Sequence, residues 1–173
     1  MPIKCVIIDD NKEELNTIES VLSTLAYGTE YSILIDSFSS FTQFDTVEKY
    51  NLYILDIDMP DISGFQIARK IYDRYPNATI VFCTNHDDLV FDSFKLNAFY
   101  FVRKSFLKDD MVLALRKFIT RNFMLNAEYI YKSNQSVIKI PMKNIIYFEV
   151  SGNDLYICTD TKENHERKSM KNM

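Results

Sequence analysis

The stretch Leu52-Tyr53-Ile54-Leu55-Asp56-Ile57-Asp58-Met59-Pro60-Asp61-Ile62-Ser63-Gly64 joins an apolar run to acidic residues and a loop that contains proline and glycine. A short, continuous apolar run of this kind is typical of a strand buried on both faces of a parallel sheet. Four similar runs occur before residue 124, at residues 3–8, 31–35, 79–83 and 99–102. The first 124 residues therefore contain five candidate strands.

Stretches with apolar residues at helical spacing alternate with these runs. They cover residues 15–25, 38–44, 65–72, 90–94 and 113–119. Five strands alternating with five helices predict an α/β fold with a flavodoxin-like, doubly wound, five-stranded parallel sheet, for which the strand order 2-1-3-4-5 is common. Ligands of such sheets bind outside the carboxyl ends of the strands, so the residues that follow each strand are the candidate site.

Composition excludes several classes of protein. A hydrophobic share of 47% with 25% charged residues is that of an ordinary globular chain. Three glycines in all exclude phosphate-binding loops of the GxGxxG and Walker types. Cys5, Cys83 and Cys158 form no CxxC pair, which argues against a disulfide framework or a zinc site. No run approaches the roughly 18 apolar residues of a membrane span, and we expect a cytoplasmic protein.

Polar side chains follow four of the five candidate strands. Asp9 and Asp10 follow the first, Asp56 the third, Thr84 the fourth and Lys104 the fifth. In the predicted strand order these residues converge at one edge of the sheet. Crowded carboxylates repel one another unless a cation neutralises them, and Mg²⁺ prefers such oxygen ligands. The pattern predicts a magnesium site that is equipped for phosphoryl transfer to aspartate.

This ordered set resembles the receiver domain of two-component response regulators. The acidic pair, the Asp-x-x-Met-Pro-x-x-x-Gly motif, the threonine and the lysine all occur in order within residues 2–124. The resemblance implies that Asp56 accepts a phosphoryl group from a sensor histidine kinase, and that Asp9, Asp10, Asp56 and the backbone carbonyl of Asp58 hold Mg²⁺. It also implies that Thr84 and Lys104 bind the phosphoryl group. Pro60 and Gly64 are expected to shape the loop after the third strand, the glycine by tolerating positive φ.

Two positions depart from the family pattern. Ser105 stands where the family usually has a proline after the lysine, often across a cis bond, so Lys104 is presented either by a strained cis bond or by a trans path. The switch aromatic of the family falls on Phe101, which lacks a hydroxyl group. Phe101 is therefore either a switch residue that turns inward or simply a core residue.

The chain changes character after about residue 125. Residues 125–173 hold seven Lys/Arg and six Asp/Glu, against 13 and 18 in the preceding part. Candidate strands at 129–132, 137–140, 145–150 and 155–159, a turn at 151–154 and a polar tail from 163 predict a β-rich segment. It resembles the start of a LytTR-type DNA-binding domain, about half of one. This implies an incomplete output domain over residues 125–173, with DNA binding weak or absent in this form.

Two other functions remain open on sequence alone. One is a stand-alone receiver domain over residues 1–124 that acts through protein contacts, including a homodimer that forms on phosphorylation. The other is an enzyme: Asp56-x-Asp58, Thr84 and Lys104 also resemble haloacid-dehalogenase-type phosphatases, with Asp56 as nucleophile and Asp58 as acid/base. That second reading leaves Asp9 and Asp10 without a role, so a phosphoacceptor without enzymatic turnover, beyond slow autodephosphorylation, is expected.

Overall fold

The computed structural model describes residues 2–27, 31–44, 48–133, 136–152, 154–159 and 163–167. The chain divides into two compact units, residues 1–115 and 116–173. No helix of the described residues is both long enough and apolar enough to cross a membrane.

The first unit is a five-stranded, all-parallel sheet with helices in the connections. Its strands are β1 (Ile3–Ile8), β2 (Ile33–Phe38), β3 (Leu52–Leu55), β4 (Ile80–Thr84) and β5 (Tyr100–Arg103), in the order β2-β1-β3-β4-β5. Its helices are α1 (Lys12–Ala26), α2 (Gly64–Arg74), α3 (Val90–Lys95) and the beginning of α4 (Leu107–Asn126). The predicted fold class, sheet type and strand order are confirmed.

Burial explains why continuous apolar runs form the centre of this sheet. Every residue of β3 and β4 is buried, as expected for strands that are covered on both faces. Helix α1 buries Leu15, Ile18 and Leu22, which are spaced at three and four residues and so lie on one face. Helix α2 starts with a capping box between Ser63 and Gln66, which satisfies backbone N–H groups of its first turn.

The helix predicted at residues 38–44 is wrong. Strand β2 continues to Phe38, and the described part of the connection contains only a 3-10 turn at Phe41–Gln43. The aromatic side chains form a series of ring contacts instead, with centroids 6.1 Å apart for Phe41–Phe44 and for Phe44–Tyr50, and 5.7 Å apart for Tyr50–Tyr53. The threefold spacing of the phenylalanines thus reflects aromatic packing under the sheet rather than a helical face.

The second unit is β-rich, as predicted. Strands β6 (Glu128–Ser133) and β7 (Ser136–Pro141) form a hairpin, and β8 (Ile145–Ser151), β9 (Asp154–Thr159) and β10 (Glu163–Arg167) form an antiparallel sheet in the order β10-β9-β8. Tyr131, Ile140 and Ile157 make up its buried core. The predicted polar tail contains a strand that was not expected, β10, whose residues are all polar; residues 168–173 lie outside the described part. The predicted turn joins β8 to β9 through Gly152 at φ 62°, and residue 153 lies outside the described residues.

Candidate functional site

Three carboxylates meet at the carboxyl edge of the first sheet. Strands β1 and β3 are neighbours, with Ile8 opposite Leu55, so the residues that follow them lie side by side. One carboxylate oxygen from each of Asp9, Asp10 and Asp56 lies within 4.8 Å of the other two. Asp9 and Asp56 are 1% and 6% exposed, whereas Asp10 is exposed to solvent. Two charged groups are therefore held in a largely water-excluded place.

Lys104 reaches this cluster from the end of β5. Its Nζ lies 2.7 Å from Oδ2 of Asp9 and 3.4 Å from Oδ1 of Asp56, and its side chain is 7% exposed. The described residues contain no cis peptide bond, so Lys104 is joined to Ser105 by a trans bond at the start of a short 3-10 turn. Thr84, at the end of β4, is fully buried, and its Oγ1 accepts a hydrogen bond of 3.3 Å from the N–H of His86.

The charges of the cluster do not balance. Burial raises the pKa of Asp9, against the opposing effect of the nearby Lys104 ammonium, and burial also raises the pKa of Asp56, against the charge of Lys104. For Lys104, burial disfavours the ammonium, but the ion pairs with Asp9 and Glu14 and the charge of Asp56 outweigh it, so its pKa is raised. One ammonium thus faces several carboxylates, so the cluster carries an excess of negative charge.

The donor set fits a hard divalent cation. Oδ2 of Asp9 and Oδ1 of Asp56 are buried and accept no hydrogen bond of ordinary geometry from the described residues, although each lies near the Lys104 ammonium. Buried carboxylate oxygens next to the exposed carboxylate of Asp10 are the type of ligand that Mg²⁺ takes, with water completing its coordination. The residues present are therefore compatible with Mg²⁺ at this edge.

Glu14 is a member of the site that the sequence reasoning missed. It lies in the first turn of α1, and its carboxylate makes an ion pair with Nζ of Lys104 through Oε2. Its other oxygen, Oε1, accepts a hydrogen bond of 3.0 Å from Nδ2 of Asn85, the residue after Thr84. A fourth carboxylate thus borders the cluster, and it comes from a helix rather than from a strand end.

Gly64 supports the loop that carries Asp56, but not for the predicted reason. Among the described glycines only Gly152 has a positive φ, so Gly64 needs no left-handed backbone. It needs space: a Cβ atom at this position would lie 1.9 Å from the backbone oxygen of Asp56 and 3.1 Å from Cα of Ile57. Its N–H also donates to the carbonyl of Ile57 at 3.0 Å. The glycine lets the start of α2 approach the backbone of the Asp56 loop.

The side chain of Asp58 lies outside the buried cluster. It is 75% exposed, and its Oδ2 lies 3.1 Å from Nε2 of His86. Nδ1 of the same imidazole lies 3.9 Å from Oδ1 of Asp88. The two expected roles of Asp58, as a metal ligand through its backbone carbonyl and as an acid/base in the phosphatase interpretation, stay predictions.

Phe101 lies in β5 opposite Phe82 of β4. Its side chain is partly buried and packs against the main core cluster of the unit. Thr84 ends β4 two residues after Phe82, so Thr84 and Phe101 lie on neighbouring strands.

Comparisons with known proteins agree with this geometry. A family model described as the response regulator receiver domain matches residues 5–116. The transcriptional regulatory protein NatR of Bacillus subtilis is 22% identical over 165 residues, covering 93% of this chain and 70% of NatR. The sensory transduction protein LytR of Staphylococcus epidermidis is 30% identical over 108 residues, covering 62% of this chain and 35% of LytR, so this chain spans about a third of that relative's length.

Solved structures add a relative that was crystallised with a ligand. The response regulator TrrA from Thermotoga maritima, crystallised in complex with Mg²⁺ and BeF, is 26% identical, with a TM-score of 0.53 over 67% of this chain and 98% of TrrA. The sheet order, the edge cluster of acids and the family match lead to one assignment. Through residues 5–116 the chain belongs to the response regulator receiver domain family.

Proposed function

We propose that Asp56 is the phosphoacceptor of this receiver domain and that its partner is a sensor histidine kinase. The observation that carries the proposal is the placement of a buried carboxylate, 6% exposed, beside two further aspartates, a buried lysine and a buried threonine. Such a site carries more negative than positive charge and is largely shielded from water, and in this proposal the Asp56 carboxylate is its nucleophile.

The transfer balances with the groups present. A carboxylate oxygen of Asp56 forms a bond to phosphorus while the bond from phosphorus to the donor breaks. The departing electron pair stays with the donor, which is the imidazole nitrogen of a kinase histidine or the acetate oxygen of acetyl phosphate. The attacking group needs no base, because a carboxylate that is ionised carries no proton to remove.

The neighbouring side chains stabilise the group that is gained. Mg²⁺ held by Asp9, Asp10, Asp56 and the backbone carbonyl of Asp58 would neutralise charge on the phosphoryl oxygens. Thr84 supplies a hydroxyl donor and Lys104 an ammonium, both within the buried edge.

A switch from this site to the rest of the unit would run through Phe101. Thr84 and Phe101 lie on adjacent strands at one edge of the sheet, so a shift of the Thr84 hydroxyl toward a phosphoryl group changes the space beside β5. Phe101 would fill that space by turning inward, which is the switch role expected for this position.

For residues 125–173 we propose the beginning of a LytTR-type output domain that follows a receiver domain over residues 1–124. The β-rich second unit and the name of the relative NatR, a transcriptional regulatory protein, support a transcriptional output. This chain spans about a third of LytR, so DNA binding belongs to a longer form in this proposal. A receiver that acts through protein contacts or as a homodimer is the alternative.

The test is phosphorylation by acetyl phosphate in the presence of Mg²⁺, followed by intact mass spectrometry. We expect one added phosphoryl group on the wild-type chain and none on Asp56→Asn. Asp61→Asn is the matched control, because Asp61 is an exposed acid of the same loop, and it should be modified like the wild type. An adduct that persists in Asp56→Asn, or rapid turnover of a phosphate monoester, would contradict the proposal.

A further inference from the structure

Glu14 joins two elements at the mouth of the site. Its Oε2 pairs with the Lys104 ammonium, and its Oε1 accepts the 3.0 Å hydrogen bond from Asn85. Asn85 directly follows the phosphoryl-binding Thr84, and Lys104 directly follows β5. A single carboxylate from α1 therefore bridges the ends of two neighbouring strands.

The backbone fixes the position of Glu14. Asn11 caps α1, and its side-chain oxygen accepts hydrogen bonds from the N–H groups of Glu13 at 2.9 Å and Glu14 at 3.4 Å. The N–H of Asn11 in turn donates to Oδ1 of Asp9 at 2.9 Å. The start of α1 is thereby tied to the acidic cluster, so the carboxylate of Glu14 is held close to it.

Three carboxylates share the single ammonium of Lys104 in this arrangement. An ammonium offers three N–H groups, and three carboxylates surround Nζ: Asp9 at 2.7 Å, Asp56 at 3.4 Å and Glu14. A phosphoryl group on Asp56 brings additional negatively charged oxygens, which compete with Glu14 for the same ammonium and repel its charge.

We propose that Glu14 is a restraining residue, which holds Lys104 in the unphosphorylated protein and must give it up when Asp56 gains a phosphoryl group. This inference rests on the proposed function of Asp56 and concerns how readily that function is exercised. Glu14 acts through Lys104, so it is a positioning residue of the site. Its effect is opposite to that of an ordinary supporting contact, because removing its charge is expected to favour the phosphorylated form.

The first measurement is the affinity for beryllofluoride, a phosphoryl analogue, at a fixed Mg²⁺ concentration by titration calorimetry. Glu14→Gln keeps the size of the side chain and an oxygen for Asn85 but removes the charge. We expect it to bind about fivefold more tightly than wild type, the size of one partly exposed ion pair. Glu13→Gln is the matched control, because Glu13 is the exposed neighbour on the same turn, and it should bind like wild type. Loss of a merely structural contact would weaken binding, not tighten it.

The second measurement needs no phosphoryl group. Under limiting amine acylation followed by peptide mass spectrometry, Glu14→Gln should increase the labelling of Lys104 relative to the exposed Lys108, and Glu13→Gln should not. Equal labelling of Lys104 in all three proteins, or binding of the analogue by Glu14→Gln that is unchanged or weaker, overturns the proposal. If wild type neither binds the analogue nor reacts with acetyl phosphate, the assignment of Asp56 fails, while the labelling still decides whether Glu14 restrains Lys104.

Discussion

Replacement of Gly64 by alanine tests how closely α2 must approach the loop that carries Asp56. The added Cβ would lie 1.9 Å from the backbone oxygen of Asp56, 2.9 Å from its carbonyl carbon and 3.1 Å from Cα of Ile57. All three atoms belong to the backbone, so the clash cannot be relieved by rotation of a side chain. Either the first turn of α2 or the loop after β3 must move by about an ångström.

The cost follows from two opposing terms. Forcing a methyl group into packed backbone costs about 1–3 kcal/mol, and alanine recovers up to about 1 kcal/mol over glycine in a helix. Because the contact is with backbone, we place the net loss near the upper end, at about 2 kcal/mol, which is roughly a 30-fold change in the unfolding equilibrium. Movement of the loop after β3 would displace Asp56, so the rate of phosphorylation should then fall by more than the loss of stability explains.

Hydrogen exchange measures this loss in the unit concerned. The slowest amides of β1 and β3 exchange through unfolding of the unit, so they should exchange roughly 30-fold faster in Gly64→Ala. Arg69→Ala is the control, since Arg69 is an exposed residue of the same helix, and its exchange should match wild type. Exchange and phosphorylation rates in Gly64→Ala that equal those of Arg69→Ala would refute the close-approach argument.

Two further predictions concern stability. Asp110 accepts hydrogen bonds from Nε and Nη2 of Arg103 at 2.8 and 2.9 Å, and these bonds lower the pKa of Asp110 in the folded protein. The resulting stabilisation is present above the pKa of Asp110 in the unfolded chain and is lost as the pH falls through its lower pKa in the folded protein. Asp110→Asn should therefore unfold at lower urea concentration than wild type at pH 7, and the gap should close below about pH 4; an equal gap at both pH values contradicts this. Ile157→Ala, in the core with Tyr131 and Ile140, should cost about 2–4 kcal/mol, seen as lost amide protection in β9; unchanged protection would count against that core.

The sheet could be predicted from sequence because its central strands are buried on both faces. Strands β1 and β3 occupy the predicted residues, since a short and nearly continuous apolar run is typical of a covered strand. The edge strand β2 was displaced toward the N-terminus in the prediction, because its exposed Asp36 and partly buried Ser37 interrupt the apolar run. Edge strands with one solvated side carry a weaker hydrophobic signal.

The grouping of the site residues followed from topology, whereas Glu14 did not. Residues after adjacent parallel strands must lie at one edge, so Asp9, Asp10 and Asp56 needed no information beyond strand order. Glu14 lies on a helix, and its contacts depend on where α1 begins. A signal was present: Asn11 is a helix cap, and Glu14 follows it by three residues, in the first turn above the same edge.

The failed helix at residues 38–44 shows a limit of periodicity as a signal. Phe38, Phe41 and Phe44 are spaced as on a helix, but only a 3-10 turn forms among the described residues of this connection. Nζ of Lys70 lies over the ring of Phe41, 5.1 Å from the ring centroid, and the ring centroids of Phe38 and Phe44 are 5.8 Å apart. Aromatic residues that pack against one another across a loop can therefore have the same spacing in the sequence as the residues of a helical face.

The buried carboxylates at the sheet edge have a thermodynamic consequence for the whole first unit. Asp9 and Asp56 are buried together with too little positive charge to neutralise them, so desolvation and mutual repulsion of these carboxylates destabilise the folded chain relative to the unfolded one. A cation that binds only the folded edge relieves this repulsion and raises the melting temperature, by an amount that grows with the logarithm of its concentration above Kd. The melting temperature of the first unit therefore reports whether a cation occupies this edge.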